Sequence, residues 1–408
     1  MDLERKSISM ALNGKNYWSS ISMFSVEKVC CYLVILTGFF GVALLPVDIG
    51  LFILFPYRIL LVFLWLLLGI KLLNQGGKIF FVQRKIQWYL IFLFFWFGYA
   101  VISLAWAPSK SMAIRNLILL LMGISVIFFS TYYFRRKSDL QKLYLLWIGA
   151  FIALLFLGFW EHLTGYNLSV SKLYGKTNLM LKFIPTGVFT NQNDYATFLA
   201  ISIPFLIALM RYNKKLWIYV FGLGASMSAF YLVVITGSRS NILAVLFEVA
   251  FILAFILNFR RRTRLIVIIV ICVIFFNVLF PGLLKGFILE TVEELESIVT
   301  QTKLATGSMD TRINLVQSGL SLLYSTAGFG VGAGNAEYYL PTNPHNWWLE
   351  ILIDYGILVF VGYIIFYMGI IRNLWKIYRR EQAKDEKMIC EALLVSLVGF
   401  FFASISSS

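Results

Sequence analysis

Charge is what this chain has least of. Asp, Glu, Lys and Arg make up 13% of 408 residues, hydrophobic residues make up 60%, and the mean hydropathy is +0.81. A soluble domain covers its surface with roughly twice that charged fraction, so a water-soluble globule is excluded. Cysteine is scarce too. Cys30, Cys31 and Cys272 lie within or at the ends of apolar runs and Cys390 opens the last one, which gives neither a disulfide frame nor a metal set. There are two histidines. No Asp-x-Asp pair and no His/Cys cluster occurs in the polar segments between the outer ends of the runs, so a metal-independent chemistry without a cofactor is the expectation.

What the chain has in abundance is apolar runs long enough to cross a hydrocarbon core, which takes about 20 helical residues. They recur near 29–45, 57–74, 87–106, 112–134, 140–160, 191–210, 216–236, 240–259, 264–281, 346–371 and 388–408. They lack the two-residue alternation of barrel strands. The expected fold is therefore all-α, a polytopic transmembrane helical bundle of about 11 spans. The last run ends without a polar tail or basic flank, and a twelfth span is expected in the natural chain. The first 28 residues lack the short apolar stretch and small-residue site of a cleavable signal, so the first span is expected to be an uncleaved anchor.

The formal net charge of +15 raises the question of nucleic acid, and its distribution answers it. Arg5, Lys6, Lys15 and Lys28 precede the first run, and basic clusters follow every second run: Lys71 to Lys85, Arg135 to Lys142, Arg211 to Lys215, Arg260 to Arg264 and Arg372 to Lys387. That is the charge bias of cytoplasmic loops, and it puts the N-terminus in the cytoplasm. The division expected is a cytoplasmic segment 1–28, transmembrane helices 29–281, an extracytoplasmic helical loop 282–345 and C-terminal transmembrane helices 346–408.

Two outer segments, about 161–190 and 282–345, are longer than simple connections require. In the second, 284–299 reads as an amphipathic surface helix, with Glu290, Glu293, Glu294 and Glu296 between apolar residues. Another helix is expected from Ser308, with Ile313, Leu315, Val316, Leu320 and Leu323 as its apolar face. It ends at Gly328-Phe329-Gly330-Val331-Gly332-Ala333-Gly334-Asn335, a glycine string expected to let a ligand approach the backbone closely.

On the same outer side lie Arg239, Arg312 and His345. Arg239, in Thr236-Gly237-Ser238-Arg239-Ser240, sits between two apolar runs, where an unpaired guanidinium costs about 2.5 kcal/mol or more. It either snorkels to the interface or grips an anion; its planar fork of donors suits a diphosphate. Arg312 grips the same anion or pairs with Asp310. His345 follows Asn343-Pro344 at the entry of an apolar helix, whose free N–H groups favour an anion. Asn346, Glu350 and Asp354 continue a polar line down one face of that helix. An imidazole is suited to take a proton near neutral pH, although a histidine here could also merely cap the helix. Trp347 and Trp348 read as interface-belt residues or, less simply, as surfaces for sugar stacking.

Four segments, in order, resemble the O-antigen ligase and O-antigen polymerase superfamily, which includes teichuronic acid and capsule polymerases. They are Gly187-Val188-Phe189-Thr190-Asn191-Gln192-Asn193; Thr236 to Ser240; Arg312 leading a helix before Gly328-Phe329-Gly330-Val331-Gly332; and His345-Asn346 followed by Leu349-Glu350 and Gly356. They cover roughly residues 185–370. The resemblance implies a GT-C-type glycosyltransferase in the cytoplasmic membrane of a bacterium. It implies an undecaprenyl-diphosphate-linked glycan as donor, a sugar hydroxyl of a glycan or wall polymer as acceptor, and inversion at the anomeric carbon. It assigns the diphosphate to Arg239 and Arg312 and the base to His345, with Asn193, Ser238, Asn346 and Glu350 in support. The competing reading is a transporter or flippase of lipid-linked oligosaccharides, which calls for mid-span charges in several helices and internal repeats.

Overall fold

The computed structural model describes residues 26–48, 53–74, 84–279, 308–342 and 344–405. The helix expected at 284–299 lies outside them. The described chain is helical apart from a two-residue strand pair, Val47–Asp48 with Ile53–Leu54. Its helices are α1 (Val26–Ala43), α2 (Pro56–Asn74), α3 (Arg84–Ile102), α4 (Lys110–Tyr133), α5 (Lys137–Thr164), α6 (Leu179–Lys182), α7 (Gln192–Tyr212), α8 (Leu216–Ile235), α9 (Arg239–Phe251), α10 (Phe259–Leu279), α11 (Ser308–Ser325), α12 (Ala336–Tyr339), α13 (Trp347–Arg380) and α14 (Lys384–Ala403).

Among the described residues nine helices are long and apolar enough to cross a membrane: α1 to α5, α7, α8, α9 with its π turn Ile252–Ile256, and α13. The chain is a multi-pass helical membrane protein. The other two expected runs, 264–281 and 388–408, fall on α10 and α14. Each of these helices opens with a charged turn, Arg260 to Arg264 and Lys384 to Lys387, which shortens its apolar length. The basic cluster beginning at Arg372 also lies on helix, because α13 continues past the expected end at 371 to Arg380.

The chain divides into two compact units. The first takes α1, α2, α3 up to Phe94, α4 from Ile118 and α5 up to Leu146. Trp65 packs against Phe128 and Phe129 and donates from its indole to Ser125 Oγ at 3.0 Å. At one end of this unit two buried carboxylates are paired, Glu27 with Lys71 at 3.0 Å and Asp139 with Lys28 at 2.6 Å.

The second unit takes Phe95–Leu117 and Trp147–Ser408 and is built around α7, which packs against α8, α9 and α14. Tyr195, Leu199 and Leu206 of α7 are fully buried, and Trp147 stacks on Phe205 with its indole bonded to Ser202 Oγ at 3.0 Å. Arg211 and Tyr212, at the end of α7, bond the buried Glu391 of α14. These contacts set where the first turns of α7, α9 and α13 lie.

Candidate functional site

α13 is not a continuous helix. It breaks at Gly356 (φ 75°, ψ −176°), and the backbone groups released by the break are taken up by the glycine string. Val331 N–H donates to Ile353 O at 2.9 Å, Gly332 N–H to Asp354 O at 3.0 Å, and Ile357 N–H to Gly328 O at 2.9 Å. A broken helix at membrane depth is stable only where protein supplies such replacements. The sequence reading left the space beside the glycines open to a ligand; the structure fills it with the chain's own backbone. A Cβ on Gly330 would lie 2.6 Å from Gly356 N, and one on Gly356 would lie 2.2 Å from Gly328 O. The string is also pinned from the α3–α4 turn, where Tyr99 OH donates to Phe329 O at 2.6 Å and Trp106 Nε1 to Gly330 O at 3.0 Å.

Asp354 completes this clamp. Its buried carboxylate accepts from Gly334 N–H at 2.9 Å and Ala336 N–H at 2.8 Å, so the lower end of the expected polar line holds α12 rather than facing a substrate. Gly319 of α11 lets Ile353 and Leu349 of α13 approach its backbone, and Leu315 joins their cluster. α11, which carries Arg312 among its first residues, is thereby seated on the first part of α13. The Arg312 side chain lies outside the described residues.

At the start of α13 the helix cap is Asn346, whose Oδ1 accepts from Trp348 and Leu349 N–H, both at 3.1 Å. Trp347 N–H is taken by Ser404 O at 3.0 Å and Glu350 N–H by Asn346 O at 2.9 Å. The expected free N–H groups at this end are therefore all in use, and an anion cannot be held there by backbone donors. Capping also falls to Asn346 and not to the histidine before it. His345 is half-buried and held at φ 48°, a left-handed conformation uncommon outside glycine, between the buried Pro344 and the cap. Trp347 and Trp348 anchor the helix, donating to Tyr363 OH at 3.0 Å and Phe401 O at 3.2 Å.

Two of the other motifs meet through a residue that sequence reasoning missed. Asn241, in the first turn of α9, donates to Ser238 Oγ at 2.8 Å and to Asn193 O at 3.2 Å, and accepts from Thr197 Oγ1 at 3.1 Å. Buried without exposure, it ties the start of α9 to the start of α7, which is capped by Asn191. Arg239 is the first residue of α9 and half-buried, and no side chain caps that helix end.

The third connection is electrostatic. The Glu350 carboxylate lies within interaction range of Asp354, of Glu337 on α12, and of Asp194 in the first turn of α7. The first turns of α7, α9 and α13 are thus neighbours, which brings Asn193, Ser238, Arg239, Asn346 and Glu350 into one region. Three polar atoms on these motifs or directly beside them, Thr186 Oγ1, Ser240 Oγ and Glu350 Oε1, are buried with no hydrogen-bond partner. Buried polar groups are nearly always satisfied; orphans also occur elsewhere among the described residues, both carboxylate oxygens of Glu248 on α9 among them, so these three mark the region without singling it out. Among the described residues no group of His, Cys, Asp and Glu is arranged to hold a metal ion.

The approach to α7 is set by Glu161 and His162 at the end of α5. Glu161 is fully buried and accepts from Thr186 N–H at 2.7 Å, Gly187 N–H at 2.6 Å and Leu168 N–H at 3.2 Å. His162 spans Phe183 O and Tyr231 OH, each at 2.8 Å. A carbonyl only accepts, so Nδ1 carries the proton in that bond. The signal for both was present, since an adjacent acid and imidazole close an otherwise apolar run.

The chain is similar to known proteins over most of its length. Residues 224–364 match the family model described as O-antigen ligase, a stretch that contains the Ser-Arg motif, α11, the glycine string and the His-Asn helix start. The chain is 31% identical over 391 residues to the teichuronic acid biosynthesis protein TuaE of Bacillus subtilis (strain 168), covering 92% of this chain and 79% of that protein. The Gly187–Asn193 motif lies upstream of the matched model and is joined to it in space by Asn241. On these grounds the chain belongs to the O-antigen ligase and polymerase superfamily and is a membrane enzyme of that type.

Proposed function

We propose that the protein transfers a glycan from an undecaprenyl-diphosphate-linked donor to a sugar hydroxyl at the outer face of a bacterial cytoplasmic membrane, with the N-terminus cytoplasmic. The observation that carries this reading is the convergence of the first turns of α7, α9 and α13. In the reaction His345 takes the proton of the acceptor hydroxyl as its oxygen attacks the anomeric carbon. The bond from that carbon to the diphosphate breaks and the electron pair leaves with the diphosphate, so the configuration inverts. Arg239 and Arg312 hold the departing diphosphate, whose growing charge a fixed guanidinium stabilises without reorganisation. This needs no metal ion.

Asn193 and Ser238 support the arginine through the Asn241 hub, and Asn346 fixes the helix start next to the base. Glu350, whose Oε1 has no hydrogen-bond partner, supports the acceptor in this reading by accepting a hydrogen bond from it. A relative named for teichuronic acid biosynthesis supports a polysaccharide as the product.

The test is transfer in nanodiscs, with lipid-linked repeat units extracted from producing cells as donor. His345→Ala is expected to lower the transfer rate by about 100- to 10,000-fold while donor binding is retained. Arg239→Ala is expected to weaken donor binding by about 2–5 kcal/mol. Wild-type transfer by His345→Ala removes the histidine as base. Movement of the lipid-linked glycan across the bilayer with no new glycosidic bond makes the protein a transporter.

A further inference from the structure

The segment between α5 and α7 has an unusual charge for the side proposed for it. Residues 165–190 carry Lys172, Lys176 and Lys182 and no aspartate or glutamate, whereas translocated loops of membrane proteins are poor in lysine. The acid at its edge, Glu161, is buried and its oxygens are occupied by backbone N–H groups, so it offers the lysines nothing.

Nor is the segment a slack tether. Both ends are fastened to α5: Glu161 holds Leu168, Thr186 and Gly187, His162 holds Phe183, and Asn167 Nδ2 donates to Ile184 O at 3.0 Å. Its tip is a run of turns, with Tyr174 N–H to Ser171 O and Lys176 N–H to Leu173 O both at 3.1 Å and Lys172 N–H to Thr190 O at 2.8 Å. Gly175, at φ 69°, makes the last turn possible. Within it Leu173 turns inward and is buried, while Lys172, Tyr174 and Lys176 point outward. Tyr166 is 67% exposed and Tyr174 62% exposed, and the Lys182 ammonium sits 5.8 Å from the Tyr166 ring centre.

We infer that this segment is a docking surface for an anionic, carboxylate-bearing polysaccharide chain. Lysine ammoniums are compact charges suited to carboxylates spaced along a chain, while exposed tyrosine rings offer flat apolar faces with a polar tip to sugar rings. Holding both on a rigid frame lowers the ordering cost of binding. A membrane surface would instead be met by an amphipathic helix with one continuous apolar face; here Leu173 at the tip is already buried against protein, the residues around it that point outward are lysine and tyrosine, and Leu179, exposed on the four-residue α6, is too isolated to form such a face. The inference rests on the glycan-transfer reading for why a polysaccharide is present, and adds where an acidic chain lies.

The experiment measures binding by the full chain in phosphatidylcholine nanodiscs at about 50 mM salt, where surface charge is weakly screened. The probes are polygalacturonate oligosaccharides and, as a neutral control, dextran oligosaccharides of matched length. Polygalacturonate is expected to bind and dextran not to. The double variant Lys172→Glu with Lys176→Glu should lose on the order of tenfold or more in affinity at an unchanged melting temperature, with the milder K172Q/K176Q pair intermediate. Equal binding by wild type and the charge-reversed protein overturns the inference, as does equal binding of the two probes or binding that requires phosphatidylglycerol in the disc. His345→Ala separates this from the catalytic reading: polygalacturonate should bind it normally. A failure of the transfer chemistry would leave the docking result standing, and the reverse also holds.

Discussion

The charged groups at one end of the first unit and those around the starts of α7, α9 and α13 in the second are gathered differently. In the first, Glu27 meets Lys71 and Asp139 meets Lys28, cation to anion, although Glu27 Oε1 is left without a hydrogen bond. Around the starts of α7, α9 and α13 in the second unit, Glu350 feels the like charges of Asp354, Glu337 and Asp194, and Thr186 Oγ1, Ser240 Oγ and Glu350 Oε1 are buried without a hydrogen bond. Side chains that satisfy one another hold helices together. Like charges gathered around orphaned polar atoms mark the candidate site, where in the proposed reaction a substrate supplies the missing partner.

Breaking the backbone strut under the second region should have the largest effect. Gly356→Ala places a methyl group 2.2 Å from Gly328 O at a positive φ, so about 3–5 kcal/mol of stability should be lost, read as a fall in melting temperature in detergent together with loss of transfer. A melting temperature within a degree of wild type would show that the glycine string is not seated on α13 as described. Next comes the first unit. Glu27→Gln leaves Lys71 without its carboxylate and should cost about 2–4 kcal/mol, and adding Lys71→Met should restore most of it while transfer is untouched throughout. A large loss of transfer in the stable double variant would blur the contrast between the units. The smallest change in stability, within about 0.5 kcal/mol, is expected for Ser240→Ala, because its hydroxyl bonds nothing. Its donor affinity should nonetheless fall, and unchanged affinity would make that orphan incidental.

Much of the architecture was legible in the sequence because a membrane span is written locally, as about 20 consecutive apolar residues. The first span is expected at 29–45 and found at Val26–Ala43; the helix expected from Ser308 is found at Ser308–Ser325. Legibility fell where a partner lies far along the chain. Asn241 bonds Asn193, 48 residues away, and Asp354 bonds Gly334, 20 residues away; no periodicity marks either. The glycine string announced a close approach, but the ligand expected there is replaced by the chain's own backbone at the Gly356 break, which is visible only in three dimensions. The helix entry at His345 looked like an anion site because a bare helix start has open donors, yet Asn346 and Ser404 close them. In the proposed reaction the diphosphate is therefore held by the arginines and not by that helix start.

The most direct measurement is a cryo-EM map of the protein with undecaprenyl diphosphate bound in a nanodisc. The account predicts phosphate density within about 3 Å of the Arg239 and Arg312 guanidinium groups, with the His345 ring opening onto the same space. Phosphates lodged elsewhere, with the imidazole facing lipid, would contradict it.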